Sequence, residues 1–443
     1  MNALKTGDIV KLKNGGAAKI LSEFGAGGQG TVYKVEYEGK PYALKWYHPG
    51  TFNKGGPDAA QKFYSNLEGN ISNGPPTKAF LWPLAITEIR DGTFGYLMDV
   101  RPDGYEELTN FFVGTKKKPQ VRFGSFTAIS TAAINIIQGF RELHAQGYSY
   151  QDINNGNFFI NPSTGDVLIC DNDNVSPYQV NSGIMGKQRW MAPEVVTDRT
   201  PDKQSDRFSL AVVLFRLLFI NHPLEGCYSS PPCMTKEAER KYYGTNPIFI
   251  LDPMNDQNRP IPGSDSNLKR FWPIYPQYIQ AAFIRAFSHD VMMKEAPRIL
   301  ETEWLDAFFR LRAETGLCPI CKREMFYSVT RDSSQCMECH KTIHRPALLK
   351  TSRFDLPIVP KQKVYLWHLD SDRNDIETVI AEVVSNPKDP RILGFRNVSN
   401  YTWKVTLPDG AQRPLPPGNI VPAKGGFLIN FINSDKHSGT VAF

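Results

Sequence analysis

Three glycines, a lysine, two aspartates and an asparagine occur along this chain in an order that suits phosphate chemistry. The stretch Phe24-GAGGQGTVYKV places glycines at 25, 27 and 30 and then Val32. A glycine-rich loop that opens a helix is typical of dinucleotide sites. Here the loop runs into Thr31-Val32-Tyr33-Lys34-Val35, a strand pattern. A strand–loop–strand arrangement lets backbone N–H groups lie over phosphates with no side chain in the way. A plain glycine-rich hairpin is the alternative. Lys45 ends the apolar strand Tyr42-Ala43-Leu44-Lys45, so its ammonium can meet the same phosphates as a point charge. A cation in that place needs a carboxylate to hold it. Glu68, on a helix predicted over 58–71, is the candidate, and Asp58 is the alternative.

Further along, Leu143-His144-Ala145-Gln146-Gly147 ends a helix. Tyr150-Gln151-Asp152-Ile153-Asn154-Asn155-Gly156-Asn157 follows and leads into a strand at 158–160. Asp152 can accept the proton of an attacking hydroxyl. Asn157 can offer a neutral oxygen to Mg²⁺, a hard oxygen-seeking cation. A second strand, 167–170, delivers Asp171, whose carboxylate is the expected main Mg²⁺ ligand; Asp173 ranks second. Taken singly, these Asp- and Asn-rich stretches read as turns. In this order, after the glycine loop and Lys45, they read as a phosphoryl-transfer site.

Two C-x-x-C pairs, Cys318/Cys321 and Cys336/Cys339, are separated by residues 322–335. Their spacing suits a closed tetrahedral zinc site holding together a stretch too small to build its own core. His340 and His344 follow closely as substitute ligands.

The elements that must carry these residues change character along the chain. Short strands rich in β-branched and aromatic residues are predicted at 18–21, 31–37, 42–47, 83–90 and 94–100. From Phe126 the period becomes helical, with Ile129, Ala133, Ile136, Ile137, Phe140 and Leu143 at spacings of three and four. More helices are predicted at 203–220, 276–287 and 301–314. The apolar run 210–220 contains Arg216 and is too short to span a bilayer, so it reads as a buried helix. The opening MNALKTGDIVKLKNGG lacks an apolar signal-peptide core, and a cytoplasmic protein is expected. A net charge of +6 over 443 residues is too mild an excess to indicate nucleic acid. The fold class is therefore α+β, with a strand-rich lobe before a helical one.

These motifs resemble the protein kinase superfamily over residues 7–311, and with the segments that follow they resemble bacterial eukaryotic-like serine/threonine kinases. The glycine loop matches G-x-G-x-x-G-x-V, YALK matches V-A-I-K, and YQDINNGN matches H-R-D-L-x-x-x-N at the Asp and the Asn. Arg189-Trp190-Met191-Ala192-Pro193-Glu194 carries A-P-E. Asp206 resembles the start of the buried helix that anchors the catalytic loop, and Arg298 the arginine that pairs with Glu194. The resemblance implies a two-lobed kinase fold over 1–100 and 101–315. A small zinc ribbon at 316–345, a linker at 346–360 and an all-β interaction module at 361–443 would follow. It implies ATP bound by Gly25, Gly27, Gly30, Val32, Ala43, Lys45 and Met98, with Mg²⁺ on Asn157 and Asp171 and structural Zn²⁺ on the four cysteines. It further implies a protein substrate, a cognate serine/threonine phosphatase and a von Willebrand A-type protein as partners, with no membrane.

The departures from the family pattern are specific. Tyr150 and Gln151 replace the His and Arg before the catalytic Asp, which makes this a non-RD type. Asn172-Asp173 replaces the Phe and Gly after the metal-binding Asp. Asn154 stands where a lysine is usual, and Lys187 stands where the family has threonine, facing Asp152. Lys187 either supplies the missing charge to the transferring phosphate or is a solvated loop lysine. These changes also motivate a rival reading, a pseudokinase scaffold acting through the ribbon and β module.

Overall fold

The computed structural model describes residues 4–52, 58–115, 118–177, 186–264, 266–372, 374–432 and 435–443. The chain divides into two compact units. One comprises Met1–Arg122, Asn135–Leu268 and Phe283–Glu301, and the other Phe123–Ile134, Lys269–Ala282 and Thr302–Phe443.

The first unit opens with a six-stranded antiparallel sheet. Its strands are β1 (Ile9–Lys11), β2 (Ala17–Ala26), β3 (Gly30–Tyr37), β4 (Lys40–Tyr47), β5 (Pro83–Ile86) and β6 (Gly95–Asp99), in the order β1-β2-β3-β4-β6-β5. Alternation sorts the side chains to two faces. Val10, Leu12, Ile20, Tyr33, Val35 and Leu44 form one core layer. Tyr47, Ile86, Phe94 and Tyr96 form a second, packed against helix α1 (Ala59–Asn73). The α1 stripe Phe63, Tyr64, Leu67 and Asn70 is buried, a helical period that gives the helix one apolar face.

The rest of this unit is mainly helical. After β7 (Glu106–Glu107) and the short α2 (Thr109–Phe112) comes α3 (Phe126–Ala145), of which the part from Asn135 belongs to this unit. The small strands β8 (Tyr148–Ser149), β9 (Phe158–Ile160), β10 (Val167–Ile169) and β11 (Ser176–Pro177) follow, then α4 (Pro193–Val196) and α5 (Lys203–Phe219). The side chains of Asp202 and Ser205 cap the start of α5 reciprocally, which satisfies N–H groups that have no partner in the helix. Every α5 residue from Phe208 to Phe219 is buried, Arg216 included, as expected of a helix that is apolar on all sides. Among the described residues no helix is long and apolar enough to cross a membrane.

The second unit contains two hairpins, β12 (Thr315–Leu317) with β13 (Glu324–Phe326) and β14 (Ser333–Gln335) with β15 (Thr342–His344). Beyond them lie a six-stranded and a four-stranded antiparallel sheet. Both sheets contribute to one core that includes Leu349, Leu356, Val364, Ile380, Phe395, Trp403, Ile429 and Val441, so the C-terminal region is all-β. The structure corrects the expected linker at 346–360. Leu348–Thr351 and Asp355–Pro357 are paired strands of the six-stranded sheet. The prolines suggested a linker, but Leu348, Leu349, Leu356 and Ile358 are buried, and Pro357 lies on the edge strand of the sheet, where a missing donor is tolerated.

Candidate active site

The hairpin between β2 and β3 is closed by the Gly27 N–H donating to Gly30 O at 2.8 Å. Its glycines differ in purpose. A Cβ on Gly30 would lie 2.4 Å from the Trp46 carbonyl oxygen of β4, whereas at Gly25 and Gly27 it would meet no protein atom closer than 3.8 Å. Sheet packing therefore requires Gly30, and packing leaves Gly25 and Gly27 unexplained. Beside the loop, the ladder pairs Val32 with Lys45 and Ala43 with Met98, which sets these four residues on adjoining strands.

Lys45 is 5% exposed. Its Nζ donates to Asp173 Oδ2 at 2.7 Å and to Asp171 Oδ1 at 3.0 Å. Burial opposes the charge, but the Asp173 and Asp171 carboxylates outweigh it, and the lysine pKa is raised. Tyr47 also donates to Asp173 Oδ2. Glu68 does not reach Lys45 and instead accepts from Lys13. The expected pairing is thus replaced, for a geometric reason. Glu68 lies on the margin of the buried α1 stripe of Phe63, Tyr64, Leu67 and Asn70, and its side chain is 32% exposed. Asp58, the alternative, precedes α1 and makes no side-chain cap. The helix is secured by Asn66 and Asn70, whose Nδ2 atoms each donate to Val175 O at 2.8 Å.

The β9–β10 hairpin brings the other site residues together. Ile169 pairs with Phe158, and just beyond that pair Cys170 N–H donates to Asn157 O at 2.8 Å. Asn157 and Asp171 are thereby delivered from adjacent strand ends. Asp171 adopts a left-handed backbone, φ 54°, and its side chain is 41% exposed, open to a ligand. Asp173 is fully buried, with Oδ1 unpartnered among the described residues. Asn172, at the family's aromatic position, donates to Leu81 O at 2.8 Å and Ile169 O at 2.9 Å. An amide thus pins the loop where a ring would pack. These oxygen donors fit a hard divalent cation.

Asp152 accepts from Asn154 Nδ2 at 3.0 Å, and Asn157 Nδ2 donates to its backbone carbonyl at 2.9 Å. Burial raises its pKa to about 6, against the lowering effect of the Asn154 hydrogen bond and with the Asp171 charge adding to the rise. That places a proton acceptor near neutrality. Lys187 Nζ donates to Asn154 Oδ1 at 2.9 Å, so Asn154 bridges the lysine to Asp152.

Buried charge anchors this loop. Asp206 of α5 accepts from Tyr150 N–H at 2.6 Å, Gln151 N–H at 3.1 Å and His144 Nε2 at 3.2 Å. His144 Nδ1 lies 2.8 Å from Glu301, which also pairs with Arg207. Arg298 donates to both oxygens of Glu194, at 2.8 and 2.7 Å.

The His144 cluster predicts a pH dependence of stability. Burial lowers the His144 pKa, but its hydrogen bonds to Asp206 and Glu301 outweigh this and the value is raised. Burial pushes Glu301 up, but its hydrogen bonds to His144 and Arg207 bring it down to about 2. The His144 contribution is therefore full below the unfolded value of about 6.5 and fades as pH rises through the folded one. The Glu301 contribution is full above about 4.5 and is lost as pH falls toward the folded value. The melting-temperature gap between wild type and His144→Gln should be widest near pH 5–6 and narrow as pH rises. Each unit of elevation is worth about 1.4 kcal/mol. A gap that does not change with pH would show that the histidine is neutral in the folded chain.

The four cysteine sulfurs lie within 4.8 Å of one another, with Cys318–Cys339 at 3.8 Å and Cys321–Cys336 at 3.7 Å. Tetrahedral thiolates at the usual Zn–S length stand about 3.8 Å apart, so the set fits zinc. The two knuckles are alike. Lys322 N–H donates to Cys318 O at 3.0 Å and His340 N–H to Cys336 O at 2.9 Å, with φ 61° and 55° at those two residues. The His340 and His344 side chains are exposed and lie outside the cysteine cluster.

Residues 109–249 match the family model for the protein kinase domain. The similarity to the protein kinase domain thus lies in residues 109–249. The chain is 22% identical over 349 residues to Protein kinase YegI of Escherichia coli, covering 75% of this chain and 50% of that one. It is 32% identical over 90 residues to Serine/threonine-protein kinase STY17 of Arabidopsis thaliana, covering 19% of this chain and 15% of that one. The chain thus spans half or less of the length of these curated relatives. The PknI kinase domain of Mycobacterium tuberculosis aligns with a TM-score of 0.46 at 18% identity, over 69% of this chain and 98% of that one.

Sequence reasoning singled out Lys45, Asp152, Asn157, Asp171 and Lys187, which the structure brings into one cluster. It ranked Asp173 only as a second metal ligand, and it missed Tyr47 and the bridging part of Asn154. The available signal was the D-N-D triplet, a second acid where the kinase family has glycine.

Proposed function

We propose that the chain is an ATP- and Mg²⁺-dependent protein serine/threonine kinase of non-RD type. The observation that carries the reading is the convergence of Lys45, Asp171, Asn157 and Asp152 on one cluster. The serine/threonine assignment draws on the names of the curated relatives.

Catalysis of this kind is mostly positioning and charge stabilisation. Asp171 and Asn157 would hold Mg²⁺, which supplies Lewis-acid neutralisation of phosphate charge when bound. Gly25, Gly27 and Gly30 frame the phosphate loop, and Val32, Ala43 and Met98 line the base site. Lys45 holds phosphates while Asp173, rather than Glu68, holds Lys45. Asp152 orients the acceptor hydroxyl and takes its proton. Lys187, tied through Asn154, supplies charge at the transferring group. The lobes are assigned to 1–100 and 101–315, the zinc ribbon to 316–345 and the β interaction module to the residues beyond. Its resemblance to bacterial kinases adds a cognate phosphatase and a von Willebrand A-type protein as partners.

The deciding measurement is radiolabelled phosphate transfer from ATP to the chain and to a generic protein acceptor, with and without Mg²⁺. Mg²⁺-dependent label on serine or threonine is expected. Nucleotide binding without any label would favour the scaffold reading.

The ribbon makes its own prediction. One zinc per chain is expected by elemental analysis, falling to near zero in Cys336→Ser, with loss of amide protection across β12–β15, since such small sites fold only around their metal. Retained protection in a zinc-free variant would contradict it.

A further inference from the structure

A cavity of about 440 Å³ in the kinase domain is lined by Phe112, Asn155, Lys187, Arg189, Trp190 and Arg216, with Glu239 also at its wall. Arg216 is the unusual member. It is the one charged residue in the buried stretch 208–219 of α5, it is 9% exposed, and its Nε has no hydrogen-bond partner among the described residues. Its guanidinium centre lies 4.0 Å from the Phe112 ring centroid and 4.8 Å from that of Trp190. Ring contacts of this kind engage the flat faces of the ion and leave its edge, which carries the N–H groups, for a planar or tetrahedral anion.

The neighbouring charges are already engaged. Arg189 donates to both carboxylate oxygens of Glu225, and Tyr243 donates to the same carboxylate at 2.8 Å. Lys187 is bonded to Asn154. Burial, with the Arg189 charge adding to it and the Glu225 charge opposing it, brings the Arg216 pKa down to about 10, so the group stays cationic at neutral pH, and Glu225 is itself already bonded to Arg189. A buried cation with no carboxylate of its own is costly. It is understandable where a ligand supplies the missing charge.

The cavity adjoins the catalytic loop. Asn155 lines it, and Lys187, also in its wall, connects through Asn154 to Asp152. We propose that this cavity binds an anionic side chain, carboxylate or phosphate, of the acceptor polypeptide, with Arg216 as the residue that reads it. This rests on the reading of Asp152 as the residue that orients the acceptor. The substrate class is then an acidic or already phosphorylated segment around the target hydroxyl.

The test is peptide binding to the full chain without ATP, by fluorescence anisotropy. Three serine-centred peptides are compared, flanked by Glu, by phosphoserine or by Gln. An anionic peptide should bind about tenfold or more tightly than the Gln peptide, a difference typical of charge-assisted bidentate contacts. Arg216→Gln should collapse that ratio toward one, while Arg90→Gln, a change to a cation on the exposed turn after β5, should keep it. Preference for the Glu peptide or the phosphoserine peptide alone identifies which anion is read. If Arg216→Gln melts early, wild type is read by photo-crosslinking of the Glu peptide. Label on 109–113 or 187–190 supports the site, and label only elsewhere overturns it. Equal affinity for all three peptides, or an unchanged ratio in folded Arg216→Gln, also overturns it. Label transfer with a ratio near one sinks this pocket alone. An intact ratio without label transfer sinks the kinase reading alone.

Discussion

Asp152→Ala should lower phosphoryl transfer by on the order of 10³-fold, while nucleotide affinity stays within about twofold of wild type. The asymmetry follows from geometry. The Asp152 side chain is held by Asn154 and Asn157, whereas Lys45 and Asp171 pair with each other. Removing the carboxylate takes away the proton acceptor and leaves the charged pair in place. Raising burial without ionisation would defeat such a residue, and the amide donors counter this by favouring the carboxylate. Single-turnover transfer alongside nucleotide titration separates the two effects. Wild-type turnover in the variant would remove Asp152 from the chemistry.

The second large effect concerns the lysine. Asp173→Asn keeps the side-chain shape and removes the charge that Lys45 meets at 2.7 Å. With Asp171 holding Mg²⁺ as proposed, Asp173 would be the carboxylate left to hold Lys45 in place. The variant should lose on the order of 10²-fold in kcat/KM, with kcat falling more than nucleotide affinity, because a loosened cation stabilises developing charge poorly. Glu68→Gln should change kcat/KM by no more than about threefold, since its carboxylate is partnered by Lys13 near the surface. The opposite ranking, with Glu68 indispensable and Asp173 dispensable, would return the lysine-holding role to the helix. Tyr47→Phe offers a milder probe of the same carboxylate.

The two outcomes show what could be read in the sequence. The grouping of the glycine loop, Lys45, Asp152, Asn157 and Asp171 was legible because the residue types that suit phosphate and metal chemistry are few, and their order along strands and loops is fixed by short local elements. The pairing of Lys45 was not legible. Glu68 follows Tyr64 by four residues and so sits on the margin of the buried stripe of α1, where the helical pattern alone does not tell Lys45 from Lys13 as its partner. Asp173 lay in plain sight, but its burial depends on Tyr47 and on the approach of β4, which are long-range contacts. The strands within 346–360 were hidden for a similar reason. Prolines are local signals, whereas the pairing of Leu348–Thr351 with Ser438–Ala442 spans some ninety residues. Arg216 was noticed as a break in an apolar run, and only the packing of Phe112 and Trp190 reveals that the break faces a cavity.

That long-range pairing has a consequence for biogenesis. Ser438–Ala442 lies between Leu348–Thr351 and Leu428–Asn430 in the six-stranded sheet, so the sheet cannot close until the ribosome has released residue 442. By then the residues of the first unit have long since emerged. Non-local pairing of this kind is slow. Nascent chains stalled before 438 should therefore carry an already folded first unit together with an open strand edge, a species for chaperones to shield.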